Sequence, residues 1–387
     1  MTTGTGTDRA AATEAERLLY EARMSGDAQA VLGTLAGSRL YVGITRLDAD
    51  TPGHTVPLPW RPGPVKGRRY VPVLTQGLLP PWDPELVFRQ TTLAELARIW
   101  PDNKWWLGVG LGTPYETAVE ARPKHRKTWL SAAERAGRPP SDVLVTHGGG
   151  ALSGPLARGL ALGAHLAVLN GLIWNQLGTV YEDYGSDIAR MRSPWRVVNR
   201  ATYSGVLSSL MAARLVGRTQ EFVLRTRRAL AIRLGRTPAP EEWTEEVTAA
   251  LARRAADPSE LAEAAEVMRR VRRYEDRFRA DGVLAPGARV DTLVGFDLGR
   301  AVNVVRLALG ARFCDPGEAE RAVLRIGELA REAYGSWADF SLGYLLTRLI
   351  YFEEDEGSEE EFYRRSLGAH RLLTEDPTSP YRTLPWS

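Results

Sequence analysis

The chain has 387 residues, 44% of them hydrophobic and 25% charged, and its 50 basic and 47 acidic side chains leave a net charge of +3. This globular composition excludes a mostly disordered chain, a collagen and a coiled-coil rod, and so even a balance is no signature of nucleic-acid binding. The one cysteine, Cys314, excludes an internal disulfide and a cysteine-based zinc site.

Residues 1–11 lack the apolar core of a secretory signal and read as a tail. Residues 13–36 have helical periodicity, broken into two helices by Ser25-Gly26-Asp27. Leu40–Thr45 and Tyr70–Thr75 are β-rich runs, separated by a Pro/Gly-rich excursion, Asp48 to Gly67, that reads as a long loop holding His54 and Trp60. Thr92-x-x-Glu95 fits a capping box opening a helix through Leu93, Leu96 and Ile99. Trp105–Gly110 predicts a third strand stopped by Gly112-Thr113-Pro114, and a basic helix follows from Pro123 to Arg135. Residues 137–158, with Pro139, Pro140 and Thr146-His147-Gly148-Gly149-Gly150, read as a linker holding at most a short strand, Val143–Val145.

Beyond residue 156 the periodicity is helical throughout. Helices are predicted over about 156–182, 200–216, 218–234, 239–254, 258–280, 291–312, 317–334, 337–352 and 359–373. Asn199 is placed to cap the second, Pro316 sits near the first turn of its helix, and Ser336-x-x-Asp339 resembles a capping box. The acidic stretch Glu353 to Glu361 reads as a solvated loop and helix start, its carboxylates complementing the helix dipole. The expected fold class is α+β: a small mixed α/β domain over residues 12–136, then a larger all-α helical bundle over 159–387. The most apolar stretch, Leu162 to Leu177, is too short and too polar to cross a membrane, so the expectation is a soluble cytoplasmic protein. Four lysines (Lys66, Lys104, Lys124, Lys127) beside 46 arginines point to a GC-rich genome, as in actinobacteria.

Residues 12–135 resemble the N-terminal domain of the SseB (enhanced serine sensitivity) family. The resemblance rests on Ser38-Arg39-Leu40-Tyr41-Val42, on Val71-Pro72-Val73-Leu74-Thr75, and on the strand-turn Leu107 to Pro114, where Gly110-Leu111-Gly112 replaces the family's Asn-Pro-Gly turn. Residues 160–387 resemble the bacterial "domain of unknown function 1266" family. The motifs are Ser193-Pro194-Trp195-Arg196-Val197, Phe296-Asp297-Leu298-Gly299-Arg300-Ala301-Val302-Asn303, Ser336-Trp337-Ala338-Asp339-Phe340 with Gly343, Tyr344 and Arg348, and the tail Leu372 to Pro380 with Pro385-Trp386. Phe296 stands where that family usually has Trp. This resemblance implies a helical domain and names no reaction.

The segment 291–312 is apolar around nearly its whole circumference, so it should be buried. Asp297, Arg300 and Asn303 step by three along it, which makes Asp297 and Arg300 neighbours. Buried charges must pair. A structural Asp297–Arg300 network reaching Arg348 is the plainer reading. The sharper one is a polar pocket of Asp297, Arg300, Asn303, Trp337 and Arg348 that holds a small anion or polar ligand, or hydrolyses it with Asp297 as general base.

Other motifs read as scaffold. His147-Gly148-Gly149-Gly150 lacks the nucleophile elbow that an oxyanion turn would need. Gly108-x-Gly110-x-Gly112 has the wrong spacing for dinucleotide binding. The five histidines are scattered, His165 reads as a core histidine, Cys314 as a structural thiol, and Trp174, Trp195, Trp337 and Trp386 as core anchors. The basic cluster Pro123–Lys127, with Arg68 and Arg69 elsewhere in the same unit, reads as a solvated helix face rather than a phosphate site, because no aromatic platform and no nucleic-acid motif accompany it. No cofactor and no metal are expected. The function expected is a non-enzymatic protein-binding or accessory module, possible settings being secretion or toxin immunity. Its partner should be a protein, not a membrane or nucleic acid. The alternative is a small-molecule sensor or hydrolase using the bundle pocket, and a third, weaker reading is nucleic-acid binding, with affinity falling steeply with salt.

Overall fold

The computed structural model describes residues 13–51, 57–80, 83, 85–137, 141–147, 149–177, 184–352 and 358–387. The tail, His54, Pro139, Pro140, Gly148 and the acidic residues 353–356 lie outside them. The elements begin with α1 (Glu14–Ser25), α2 (Ala28–Ala36), β1 (Leu40–Thr45), α3 (Arg46–Asp50), β2 (Arg61–Pro62), β3 (Arg69–Thr75), β4 (Leu86–Thr91), α4 (Leu93–Ile99), β5 (Trp106–Val109), β6 (Thr117–Glu120) and α5 (Pro123–Ala136). Helices follow: α6 (Gly154–Ala161), α7 (Ala164–Asn170), α8 (Tyr184–Arg192), α9 (Arg200–Met211), α10 (Arg218–Leu234), α11 (Pro240–Arg253) and α12 (Pro258–Ala280). The last are α13 (Gly295–Gly310), α14 (Pro316–Ala333), α15 (Trp337–Phe352), α16 (Glu359–Glu375) and α17 (Pro380–Thr383). The fold class is α+β. The chain divides into two compact units, each discontinuous in sequence: Met1–Leu152 with Asn170–Tyr203 and Val305–Glu320, and Ser153–Leu169 with Ser204–Val304 and Arg321–Ser387.

The first unit is built on a sheet of strand order β4-β1-β3-β5-β6, with β2 paired to β3. Only β3–β5 is parallel. Alternation along β1 explains its two faces. Leu40 and Val42 join Leu19, Val31, Leu35, Leu96 and Trp129 of the flanking helices in the main core, while Tyr41 joins Leu79 and Phe88 in a smaller cluster. Thr92 and Glu95 form the predicted capping box. The α1–α2 corner is Gly26, in the left-handed region at φ 70°, followed by Asp27, whose side chain accepts from Ala30 N at 2.9 Å. The sequence reading lacks β2, β4 and β6; β2 falls within the stretch Asp48 to Gly67 read as a long loop. Val143–Val145 proves to be no strand, since only Val145 bridges, to Ile173.

The second unit is helical. Segments 218–234, 258–280 and 337–352 are helices over the predicted spans. The predicted helix 156–182 is instead two short ones, interrupted at Leu162–Gly163 and ended by Gly171 at φ 60°. Ser336 caps α15 by accepting from Asp339 N at 3.1 Å, as Asn199 of the first unit caps α9 by accepting from Thr202 N at 2.9 Å. Gly299 allows a close crossing, because a Cβ there would lie 2.8 Å from the Leu162 carbonyl and from the Tyr344 ring. The ion pair of Arg227 with Glu275 is buried outright: Arg227 donates to both Glu275 oxygens at 2.9 and 2.7 Å, and Glu275 accepts from Val290 N at 2.9 Å. Among the described residues no helix is long and apolar enough to cross a membrane.

Candidate functional site

Asp297 and Arg300 meet as their spacing demands: Arg300 donates to Asp297 Oδ1. The other oxygen, Oδ2, accepts from Leu215 N at 2.9 Å and Val216 N at 3.0 Å. The carboxylate is fully buried. Its role in this arrangement is to hold the loop before α10 against α13. The Arg300 guanidinium lies 4.2 Å from the centre of the Phe296 ring. Arg348 donates through Nε to Ser366 Oγ at 3.3 Å, with Phe362 and Phe352 beneath its guanidinium. Trp337 is placed in an aromatic cluster, stacked on Tyr381 at 4.6 Å and edge-on to Trp386, and its Nε1 donates to the Leu384 carbonyl at 2.9 Å. Asn303 is half-buried on α13. Of the five candidates, Asp297 and Arg300 are bonded to each other, while Arg348 and Trp337 have the separate partners just described.

A polar relay in the same unit went unnoticed in the sequence. Ser341 Oγ lies 2.7 Å from His165 Nε2 and 2.8 Å from His370 Nδ1, and all three residues are buried. His165 also stacks on Tyr344 at 4.4 Å. Burial pushes both imidazoles down, His370 to about 4, so both are neutral at pH 7 and the serine hydroxyl donates to one and accepts from the other. No spacing signals this relay, because its members come from α7, α15 and α16.

In the first unit, His147 is locked by Asn175, which accepts from His147 N and donates to His147 O, each at 2.8 Å. Cys314 is buried and its thiol is pushed up to about 11 by that burial, away from nucleophilic chemistry. The unit also holds a cavity of about 580 Å³. It runs along all four residues of β6, with Ala22, Val31, Leu32, Trp106 and Trp129 among its walls. Glu120 and His125 mark one side, their side chains 3.3 Å apart. The fully buried Trp129 has an indole N–H without an acceptor among the described residues. None of the five bundle candidates lines this cavity, nor two smaller ones of about 340 and 260 Å³ in the second unit. Among the described residues, no group of three or more His, Cys, Asp or Glu is placed to hold a metal ion.

No curated protein and no solved structure matches the chain. The family model described as a protein of unknown function (DUF1266) matches residues 190–386, just over half of the chain and most of its helical part, and the chain belongs to that family.

Proposed function

We propose that the protein is a non-catalytic binding module that takes an extended segment of a partner protein along β6. The observation that carries this reading is the position of the 580 Å³ cavity beside the last strand of the sheet. An edge strand offers unpaired backbone groups on alternate residues, and an added strand satisfies them while its alternate side chains enter neighbouring pockets. Here the neighbouring space is walled by α1, α2 and α5, and its apolar residues suit aliphatic or aromatic side chains. The likeness of residues 12–135 to SseB N-terminal domains, and an accessory role in secretion or toxin immunity, belong to the same proposal. Against a catalytic or ligand-binding role for the bundle stands the Asp297 carboxylate, whose two oxygens already accept three internal hydrogen bonds.

The test uses ten-residue peptides with alternating Val/Leu and Ser/Thr, titrated while following intrinsic tryptophan fluorescence, to which the cavity walls contribute Trp106 and Trp129. The expected result is saturable binding, with slowed amide exchange at residues 117–120. Ala28→Trp, at an exposed wall residue, should block it. Absence of binding, or binding unchanged in Ala28→Trp, refutes the proposal.

A further inference from the structure

The even charge of the whole chain conceals a local excess. Residues 57–80 contain Arg61, Lys66, Arg68 and Arg69 and no Asp or Glu. All four cations are exposed. None of them forms an ion pair with a carboxylate among the described residues; Arg61 donates to the Leu111 carbonyl at 2.6 Å, and Arg68 and Arg69 lie on indole rings. Elsewhere exposed arginines commonly meet acids, as in Arg236–Glu242 and Arg269–Glu266.

Strand pairing brings aromatic rings to these cations. The β2–β3 register sets Arg61 opposite Tyr70 and Pro62 opposite Arg69, and the β3–β5 register sets Tyr70 beside Trp106. The Arg69 guanidinium lies 4.2 Å from the Trp60 ring centre and 5.8 Å from that of Trp105, and the two rings are 6.1 Å apart. Arg68 lies 4.1 Å from the Trp106 ring centre. Trp60 is 46% exposed. The acids nearest in sequence are engaged elsewhere: Asp50 accepts from Arg46 Nε at 3.1 Å and Asp83 from Glu85 N at 2.8 Å.

Cations without counter-charges call for an anion, and guanidinium forks bind phosphate in two-pronged fashion. The exposed Trp60, with the half-buried Trp105 beside it, adds a surface on which flat rings stack. A ligand that carries phosphates and flat rings in alternation is a nucleic acid, and only a single strand presents its bases for stacking. A membrane surface would need more apolar area, and the large apolar side chains exposed on this hairpin are Trp60 and Val65. We propose that the face formed by Trp60, Trp105, Arg61, Lys66, Arg68 and Arg69 binds single-stranded nucleic acid without sequence preference. None of these six residues belongs to the relay or the bundle candidates or lines the β6 cavity, although Arg68 rests on Trp106, one of its walls, so the peptide reading can fail without this one.

The experiment titrates the full chain into fluorescein-labelled U15 RNA and T15 DNA, reading anisotropy from 50 to 200 mM NaCl. Three to four phosphate contacts predict a slope of log K against log[salt] of about −2 to −3. Trp60→Ala should weaken binding about 5- to 150-fold, the loss of one stacked base. Lys66→Glu, at a side chain exposed in a turn, should weaken binding and flatten the slope without changing the melting temperature. RNA bound more tightly than DNA, or the reverse, would identify which strand is taken and supports the proposal either way. Failure to bind both strands at 50 mM NaCl overturns it. So does binding that Lys66→Glu weakens but Trp60→Ala leaves intact, which would mark a bare polyanion patch. Tighter association with phosphatidylserine vesicles than with either strand also overturns it.

Discussion

Replacing Asp297 by alanine separates a structural carboxylate from a site carboxylate. The side chain accepts from Leu215 N, Val216 N and Arg300. Val216 is 1% exposed, so its N–H cannot turn to water when the acceptor is removed, whereas Leu215 is 40% exposed and can. One stranded buried N–H costs about 1–3 kcal/mol, and a lost charge-assisted bond costs about 1.5–3 kcal/mol. The sum is about 2.5–6 kcal/mol, which brackets the range of about 3–5 kcal/mol found when one partner of a buried ion pair is removed. That is a large share of a typical folding stability of about 5–15 kcal/mol. Asp297→Asn retains one oxygen for the two backbone donors but sets an amide N–H₂ against the Arg300 guanidinium, so it should cost about 1.5–3 kcal/mol. Urea unfolding followed by circular dichroism reads both values, with an unchanged slope confirming that the unfolded states are comparable. A variant Asp297→Ala within about 0.5 kcal/mol of the parent would refute this account of the carboxylate and return Asp297 to the list of ligand-binding residues.

Two other predictions concern the same unit. The His370 imidazole titrates near 6.5 when unfolded and near 4 when folded, and the fold holds it neutral. Its contribution is therefore complete above pH 6.5 and is lost as pH falls toward 4, on the order of 2–3 kcal/mol by pH 4.5. Melting temperatures from pH 7.5 to 4.5 should fall accordingly, and His370→Gln should flatten the curve; an equal slope in that variant would sink the assignment. Glu275→Ala strands the buried Arg227 guanidinium and Val290 N, and should cost about 3–5 kcal/mol in the same urea assay. Glu328→Ala, which breaks only the exposed pair with Arg325, should leave the midpoint unchanged; equal losses in the two variants would contradict the burial argument.

What the amino-acid sequence determined by itself is what depends on neighbours a few residues apart. The long helices α10, α12 and α15 repeat an apolar stripe over several turns, and the caps Thr92, Asn199 and Ser336 act on N–H groups three residues on. Asp297 and Arg300 sit three apart on one helix, so their contact was legible too. The strand β6 offers Val119 as its one large apolar residue, where the equally short β5 has Trp106, Leu107 and Val109. The excess of cations over residues 57–80 was also legible, since it needs only counting, but the whole-chain balance obscured it. Tertiary structure alone decided the rest. The backbone donors to Asp297 come from about 80 residues away, and Ser341 joins histidines 176 and 29 residues distant. Trp60 and Trp105 are brought together through the pairing of β2, β3 and β5. Such contacts leave no periodic trace, because chain folding, not spacing, sets which buried donor meets which acceptor and which ring meets which cation.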